Sequence, residues 1–358
     1  MLSTKRLLLA GLCAAAPFSV FATECDIAYS SYQSFPDQIL ANHPECFGGS
    51  ANNAQVLINA TSGRQWSAIS QSLAQRQSRD GAPGLAYNPT LKGLAAGEAT
   101  GAWNIWAHAL DDDTRQSYHN DFGEKVKNDS DVVNAIFGAD YALSQQLVLG
   151  VSLAVDRGDI SGQTTADPGN TNKLDSEGYM LAPYLGWQLT PELALDASMG
   201  FGEGELDVVG GDGSQDADRW YAGANLVYSR WVGNWQFGGR AGYLHAEEDY
   251  AEAKAFGTSM DGTDAKNKID QIQLGAQLGY WVEGFMPYGG LKYVDDLNRS
   301  NSLDGVDDEI GKQALVWTLG LNYFSLAQGI TAGLAYEQEV ARSNQSRDTL
   351  MANITIRL

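Results

Sequence analysis

Long hydrophobic runs are almost absent from this chain of 358 residues. After residue 22, no stretch stays apolar for the roughly 18 residues that a membrane-spanning helix requires. Mean hydropathy is only −0.27, although 44% of the residues are hydrophobic. Beyond residue 22 no membrane-spanning helix is therefore expected, and a membrane assignment of that part has to rest on strands.

Basic residues are also scarce, with 23 Lys and Arg against 44 Asp and Glu and a formal net charge of −21. Nucleic-acid binding needs basic patches, so we expect no nucleic-acid partner. The acids are clustered, and we interpret the clusters as solvated loops; divalent ions that bridge them to anionic lipid headgroups are the alternative. The clusters are Asp111–Asp113, Asp212–Asp218, Glu247–Asp249, Asp295–Asp296 and Asp304–Glu309.

Cysteine and histidine are rare, which limits redox and metal chemistry. One of three cysteines lies in the first 22 residues, and the other two, Cys25 and Cys46, predict a disulfide in an exported chain. Two free thiols are the alternative. The four histidines lack any zinc-type spacing, so we expect no metal site. They are His43, His108, His119 and His245.

Catalytic motifs are missing as well. The chain has no Gly-x-Ser-x-Gly nucleophile motif, no P-loop and no dinucleotide fingerprint. We therefore expect no enzyme activity, no catalytic residues and no cofactor. The doublet Asn52–Asn53 fits either helix capping or self-cleavage, and capping is favoured.

The first 22 residues have the pattern of a secretory signal peptide. Lys5 and Arg6 precede the apolar run Leu7–Leu12, and Val20–Ala22 supplies a small-residue cleavage site. This pattern predicts export by the Sec machinery and cleavage after residue 22. A short membrane anchor is the alternative.

From about residue 101 onward, apolar residues alternate with small or polar ones. Side chains of a strand point to opposite faces in turn, so this period of two gives one apolar and one polar face. A strand with those two faces is typical of a transmembrane β-barrel. The clearest copies lie at 147–155, 272–282, 315–323 and 350–358.

About twelve such patterns occur, and the connections between them alternate between short turns and longer acidic loops. The expected spans are 101–110, 131–142, 147–157, 175–188, 193–206, 217–230, 235–247, 268–282, 285–295, 312–324, 330–341 and 348–358. Short turns at one end and long loops at the other are typical of outer-membrane barrels. The sequence therefore predicts an all-β fold, a transmembrane antiparallel up-and-down barrel over residues 101–358.

Aromatic residues bracket the short turns and predict an interfacial girdle there. They are Tyr141, Trp187, Tyr228, Trp231, Trp235, Tyr280, Trp281, Phe285, Tyr323 and Phe324.

Residues 23–100 form a short N-terminal segment with a helical centre. Residues 23–50 are irregular, residues 80–100 are a Gly/Pro-rich connector, and residues 53–79 have Trp66, Ile69 and Leu73 at helical spacing in an otherwise polar stretch. So polar a helix fits a polar barrel lumen. A surface helix of a small cap is the alternative.

Charged residues occur at the strand positions that belong to the polar face. There, water or polar partners can contact them, so the charges cost little free energy. We expect them to face the lumen and to pair with one another and with Arg64 and Arg76 of the helix, although a substrate pathway remains an alternative. Without the helix, an acid-lined pore would select cations. The inward charges are Asp140, Asp156, Asp196, Arg240, Glu337 and Arg357.

Several of these segments together resemble the autotransporter β-domain family. The resemblance is carried by Gly93–Glu98 with Trp103–Ala107, and by Gly138–Ser144 with Leu147–Gly150. It implies a twelve-stranded barrel with a helix in its lumen, through which an N-terminal passenger reaches the cell surface.

Residues 23–100 would then supply a minimal passenger for a translocator or display barrel in a Gram-negative outer membrane. A channel and a structural or adhesive surface barrel, each plugged by the helix, are the alternatives. The expected partners are outer-membrane lipid and the barrel-assembly and Sec export machinery, and the barrel is expected to be a monomer.

Overall fold

The structure, a computed structural model, describes most of the chain beyond residue 50. The described ranges are 51–80, 103–119, 125–164, 172–209, 213–255, 258–261, 263–301, 309–325 and 328–358. The predicted signal peptide, Cys25 and Cys46, and most of the 80–100 connector lie outside the described residues.

The described chain consists of two helices followed by a single sheet. The helices are α1 (Ala51–Ala60) and α2 (Ser62–Asp80). The strands are β1 (Trp103–His119), β2 (Lys125–Ala142), β3 (Leu147–Thr164), β4 (Asn172–Gln188), β5 (Leu193–Val208), β6 (Ser214–Val232), β7 (Trp235–Tyr250), β8 (Lys254–Ala255), β9 (Thr258–Ser259), β10 (Ala265–Tyr280), β11 (Phe285–Asn301), β12 (Gln313–Ser325), β13 (Ile330–Val340) and β14 (Gln345–Arg357).

Twelve long strands close into a barrel, because each pairs antiparallel with its neighbour along the chain and β1 pairs with β14. β8 and β9, each two residues long, form a small hairpin in the connection between β7 and β10. The prediction of a transmembrane antiparallel barrel of twelve strands with a helix in its lumen is confirmed. Closure removes the free sheet edges, which the interior of a bilayer does not tolerate.

The outer wall carries an apolar band next to the short turns. On β3 the outward side chains are apolar from Leu147 to Val155, and Val151 between them is 46% exposed. At ~3.3 Å a residue and a tilt of ~40°, nine residues rise about 23 Å, which matches the apolar belt of an outer-membrane barrel. We assign the short-turn end to the periplasmic side, following the general rule for these barrels.

Aromatic side chains border this band on both sides. The exposed members of the predicted lower girdle are Trp187, Tyr228, Trp235, Tyr280, Phe285 and Tyr323, joined by Trp103. Trp281 and Phe324 were expected in the same girdle, but both are buried and pack against Met286 at the rim. An upper belt was not predicted. Its members include Tyr179, Phe201, Tyr243 and Tyr336.

The strands continue well beyond the apolar band, so the interpretation of the acid clusters as loops was wrong for several of them. Asp112 lies in β1, Glu248 in β7 and Asp296 in β11, and each is at most 1% exposed. Above the membrane both faces of a strand meet water or polar partners. The alternation of hydrophobicity therefore ends before the strand does.

The predicted helix over 53–79 is divided into α1 and α2 at Thr61. The Thr61 hydroxyl donates to the Leu57 carbonyl oxygen at 2.8 Å, a side-chain bond of the kind that bends helices. Both helices lie inside the barrel, α1 near the long-loop end. There α1 contributes Leu57 and Ala60 to an apolar cluster with inward residues of the wall, among them Val132, Ile160 and Tyr250.

Candidate functional site

The site is the lumen, where α2 is fixed by one large apolar contact and several polar ones. Trp66 is 1% exposed, and its indole lies against the wall at Gly223 of β6 and Gly242 of β7. A Cβ at Gly223 would approach the indole to 2.6 Å, and a Cβ at Gly242 to 2.9 Å. Only glycine at these two wall positions leaves room for the ring.

Arg64, near the start of α2, is the most highly connected cation of the helix. Its Nε donates to Asp112 Oδ2 at 2.9 Å, and a second guanidinium bond reaches the other oxygen of Asp112. Nη2 also donates to the Thr349 hydroxyl at 2.5 Å, and Nη1 lies 3.4 Å from Glu337 Oε2. Such a forked arginine–carboxylate pair fixes orientation as well as distance.

Two further carboxylates of the wall hold the lower half of α2. Ser70 donates to Asp196 Oδ2 at 2.7 Å, and Asn225 donates to the other oxygen of Asp196 at 2.8 Å. Close to the short-turn end, Arg76 Nη1 donates to Asp140 Oδ1 at 2.7 Å. α2 therefore runs from the long-loop end, where α1 lies, down to the periplasmic end of the barrel.

Uncharged side chains of α2 make the remaining polar contacts. Gln65 Nε2 donates to the Ser152 hydroxyl at 3.0 Å, and Gln75 Nε2 donates to Asn353 Oδ1 at 2.9 Å. The Ser72 hydroxyl and His108 Nε2 are 3.0 Å apart. Both residues are at most 3% exposed and His108 Nδ1 has no hydrogen-bond partner, so this pair lacks the orienting acid and the access of a catalytic serine–histidine pair.

Above α2, a second set of buried charges joins strands to one another. Arg219 Nη1 donates to both oxygens of Asp156, at 3.1 and 3.0 Å, and Arg219 Nε lies 3.2 Å from Glu248. On the opposite wall, Arg342 bridges Asp296 at 2.6 Å and Glu339 at 3.0 Å. These pairs brace the part of the barrel that stands above the membrane.

The comparisons with known proteins agree with this geometry. Residues 105–337 match the family model described as the autotransporter beta-domain. The chain belongs to the autotransporter β-domain family.

Three solved autotransporter barrels share the fold. The translocator domain of NalP from Neisseria meningitidis is 12% identical with a TM-score of 0.57, over 84% of this chain and 99% of that one. The β-domain of BrkA from Bordetella is 14% identical (TM-score 0.52, 72% and 100%). The transport unit of AIDA-I from Escherichia coli is 12% identical (TM-score 0.51, 80% and 97%). No curated protein matches the chain in sequence.

This chain is thus an autotransporter translocator barrel with an N-terminal helical segment in its lumen, and its family places it in a Gram-negative outer membrane. Of the helices in the described part, none has the length and apolar character that crossing a bilayer requires. Among the described residues, no three His, Cys, Asp or Glu side chains gather as a potential metal site.

The inward charges named from the sequence of this autotransporter barrel lie in different surroundings. Asp140 and Asp196 contact α2, Glu337 lies between Arg64 and Lys292, and Asp156 pairs with another strand instead. Arg240 lines a cavity beside α2. Arg357 is half-buried at the periplasmic end of β14, opposite Asn104.

Sequence reasoning missed the main partner of Arg64. Asp112 belongs to the acid cluster Asp111–Asp113, and its neighbours in that cluster point outward. Continuing the inward–outward alternation of β1 beyond Leu110 would have placed Asp112 inside the barrel, because Leu110 and Asp112 lie on the same face of the strand. The missing information was the length of β1, because three consecutive acids were interpreted as a loop although they continue the strand.

Proposed function

We propose that this barrel displays the residues that precede α1, 23–50, on the cell surface, with α1 and α2 as the tether that passes through the lumen. The direction of the helices carries this proposal. Arg76 contacts Asp140 near the short-turn end, while α1 packs among residues next to the long loops. α1 therefore lies at the extracellular end of the lumen, which supports display of the residues that precede it.

Display of this kind needs no catalysis, and we propose that the barrel acts without any. We further propose that residues 1–22 direct export through the Sec machinery, that Cys25 and Cys46 form a disulfide, and that outer-membrane machinery assembles the barrel as a monomer. The oxidising compartment beyond the inner membrane favours a disulfide. With α1 and α2 in place, the extracellular half of the lumen is packed with apolar residues, which disfavours an open channel.

The sidedness of residues 23–50 tests the proposal. One epitope tag is inserted after Ser34, and two control tags are placed after Gly305 in a long loop and after Gln145 in a short turn. On intact cells we expect antibody to bind the tags at Ser34 and Gly305, and to reach the tag at Gln145 only after the outer membrane is permeabilised. Binding at Gly305 together with protection at Ser34 would refute display.

A further inference from the structure

A cavity of about 160 Å³ lies between α2 and the part of the wall formed by β6, β7 and β10 to β14. It begins beside Ser229 and Gln236, next to the turn between β6 and β7, and extends inward to Arg240, Lys292 and Glu337. A cavity needs only ~10–15 Å³ to hold one water, so this one has room for several water molecules or for one small solute. α2 packs mainly against β2 to β7 and leaves this space open toward β10 to β13.

The inner end of the cavity has an excess of positive charge. Of the described side chains that line it, Arg240 and Lys292 are cationic and only Glu337 is anionic. Lys292 Nζ lies 3.6 Å from Glu337 Oε2, and the Thr318 hydroxyl donates to Glu337 Oε1 at 3.0 Å. Arg64 Nη1 also lies 3.4 Å from Glu337 Oε2, and the charge of Arg64 is itself offset by its pair with Asp112.

Arg240 has no counter-ion at close range. No carboxylate among the described residues comes within ion-pair distance of its guanidinium. Asp196 and Glu337 attract its charge from further away, and Asp196 is hydrogen-bonded by Ser70 and Asn225. The amides of Gln71, Gln236 and Gln277 also line the cavity and can donate hydrogen bonds. Arg240 is half-buried beside the cavity, and an anionic ligand there would give its guanidinium charge-assisted hydrogen bonds, which are stronger than those to water.

The cavity does not continue toward the extracellular end. Above it Ile58, Leu244 and Ile269 are fully buried and pack together in the lumen. A solute that enters beside Gln236 therefore stops at Arg240 and Lys292, so the geometry fits a binding site and not a passage.

We propose that this cavity binds a small oxyanion, a phosphate or a carboxylate, between Arg240 and Lys292 at the periplasmic end of the lumen. With the helix in place, the open part of the lumen presents a cationic inner end. The site is independent of surface display, since it lies below the packed half of the barrel.

Binding can be measured on the full-length barrel in detergent by equilibrium dialysis with radiolabelled inorganic phosphate. We expect saturable binding of one phosphate per barrel. Charge-assisted hydrogen bonds are strong, so Arg240→Gln should weaken binding about tenfold or more. Glu337→Gln should instead strengthen it, because the variant frees Lys292. Arg230→Gln removes an exposed outward cation of the adjoining strand and should change nothing.

The opposite effects of the two substitutions separate a binding site from a structural role, since damage to the fold would weaken binding in both variants. Heat-modifiable gel migration identifies folded protein, and Lys292→Gln replaces Arg240→Gln if the latter does not fold. Competition by acetate against phosphate shows which oxyanion is preferred. The absence of saturable binding, or equal weakening by Arg240→Gln and Glu337→Gln, would overturn the proposal.

Discussion

Individual positions of the inner wall are matched in size to what packs against them. Trp106 of β1 lies over Gly138 of β2, and Tyr184 of β4 lies over Gly150 of β3, so that large side chains fill the space beside glycines. The same relation between wall and helix holds Trp66 in place. The sequence showed small residues alternating with apolar ones along the strands. The side chains that pack over the glycines belong to other strands or to the helix, and only the register of the sheet reveals them.

Gly223→Ala is expected to destabilise the docked helix by about 1–3 kcal/mol, the usual cost of overpacking a tight core. The added Cβ would lie 2.6 Å from the Trp66 indole. Gly275→Ala is the matched control, because its Cβ would meet no atom closer than 3.6 Å. Thermal unfolding in detergent measures both. Equal midpoints for the two variants would show that Trp66 does not fix the helix.

The contact between Glu309 and His119 at the extracellular end is expected to depend on pH. The His119 side chain and backbone N–H both donate to the Glu309 carboxylate, and the side-chain hydrogen bond is the main reason why the pKa of Glu309 is lowered. A lowered pKa means that the contact stabilises the fold above the ordinary glutamate range and is lost as the pH falls through the folded value.

Hydrogen exchange of the His119 amide measures this contact. We expect slower exchange in the wild type than in Glu309→Gln at neutral pH, and we expect that difference to vanish as the pH falls through the lowered pKa of Glu309. A difference that persists at low pH would assign the protection to the backbone geometry of β1 alone.

The two helices are held firmly to the barrel wall because their polar side chains bind wall residues at several heights along the lumen. The sequence identified the helical segment and its residues Arg64, Trp66 and Arg76 from spacing and polarity. It could not give the bend at Thr61 or the pairing of Arg64 with Asp112. Those depend on a hydroxyl bond within the helix and on a contact between residues 48 positions apart.

Arg64→Met is expected to loosen α2 by about 3–5 kcal/mol, the cost of leaving a buried carboxylate without its partner. Asp112 would remain nearly inaccessible, and among the described side chains it would keep only Thr349 as a donor. Hydrogen exchange of the α2 amides should therefore accelerate. The double variant Arg64→Met/Asp112→Leu should recover much of the protection, since no unpaired charge remains.

Arg157→Met serves as the control for that experiment. Arg157 pairs with Glu177 on the exposed outer wall, where an ion pair contributes little. We expect unchanged exchange in α2. If the single and double variants at Arg64 exchange alike, the pair with Asp112 does not hold the helix.

At the scale of the whole molecule, the barrel and the number of its long strands could be predicted from the sequence. The reason is that a strand facing lipid must alternate apolar and polar residues with a period of two. The height of the barrel was not predictable in the same way. Above the band the outward residues become charged, as at Arg157 and Asp159 of β3, while the strand pairing continues unchanged. Backbone hydrogen bonds, which no residue pattern records, determine where each strand ends.

Val151→Arg is expected to destabilise the folded barrel by about 2–4 kcal/mol, because Val151 lies near the middle of the apolar band. Leu147→Arg on the same strand and face should cost at most about 1 kcal/mol, since Leu147 lies at the periplasmic edge of the band. Urea titration of refolding into lipid vesicles gives both values. Equal costs at the two depths would mean that the band does not face lipid.

The continuation of the strands past the lipid also determines how the molecule meets its surroundings. On β3 the eight residues from Arg157 to Thr164 rise about 20 Å at ~3.3 Å a residue and a tilt of ~40°. The barrel therefore projects from the bilayer as a stiff collar of paired strands. Whatever emerges from its mouth is released at that height, so a segment of a few dozen residues can be presented clear of the lipid headgroups without a stalk of its own.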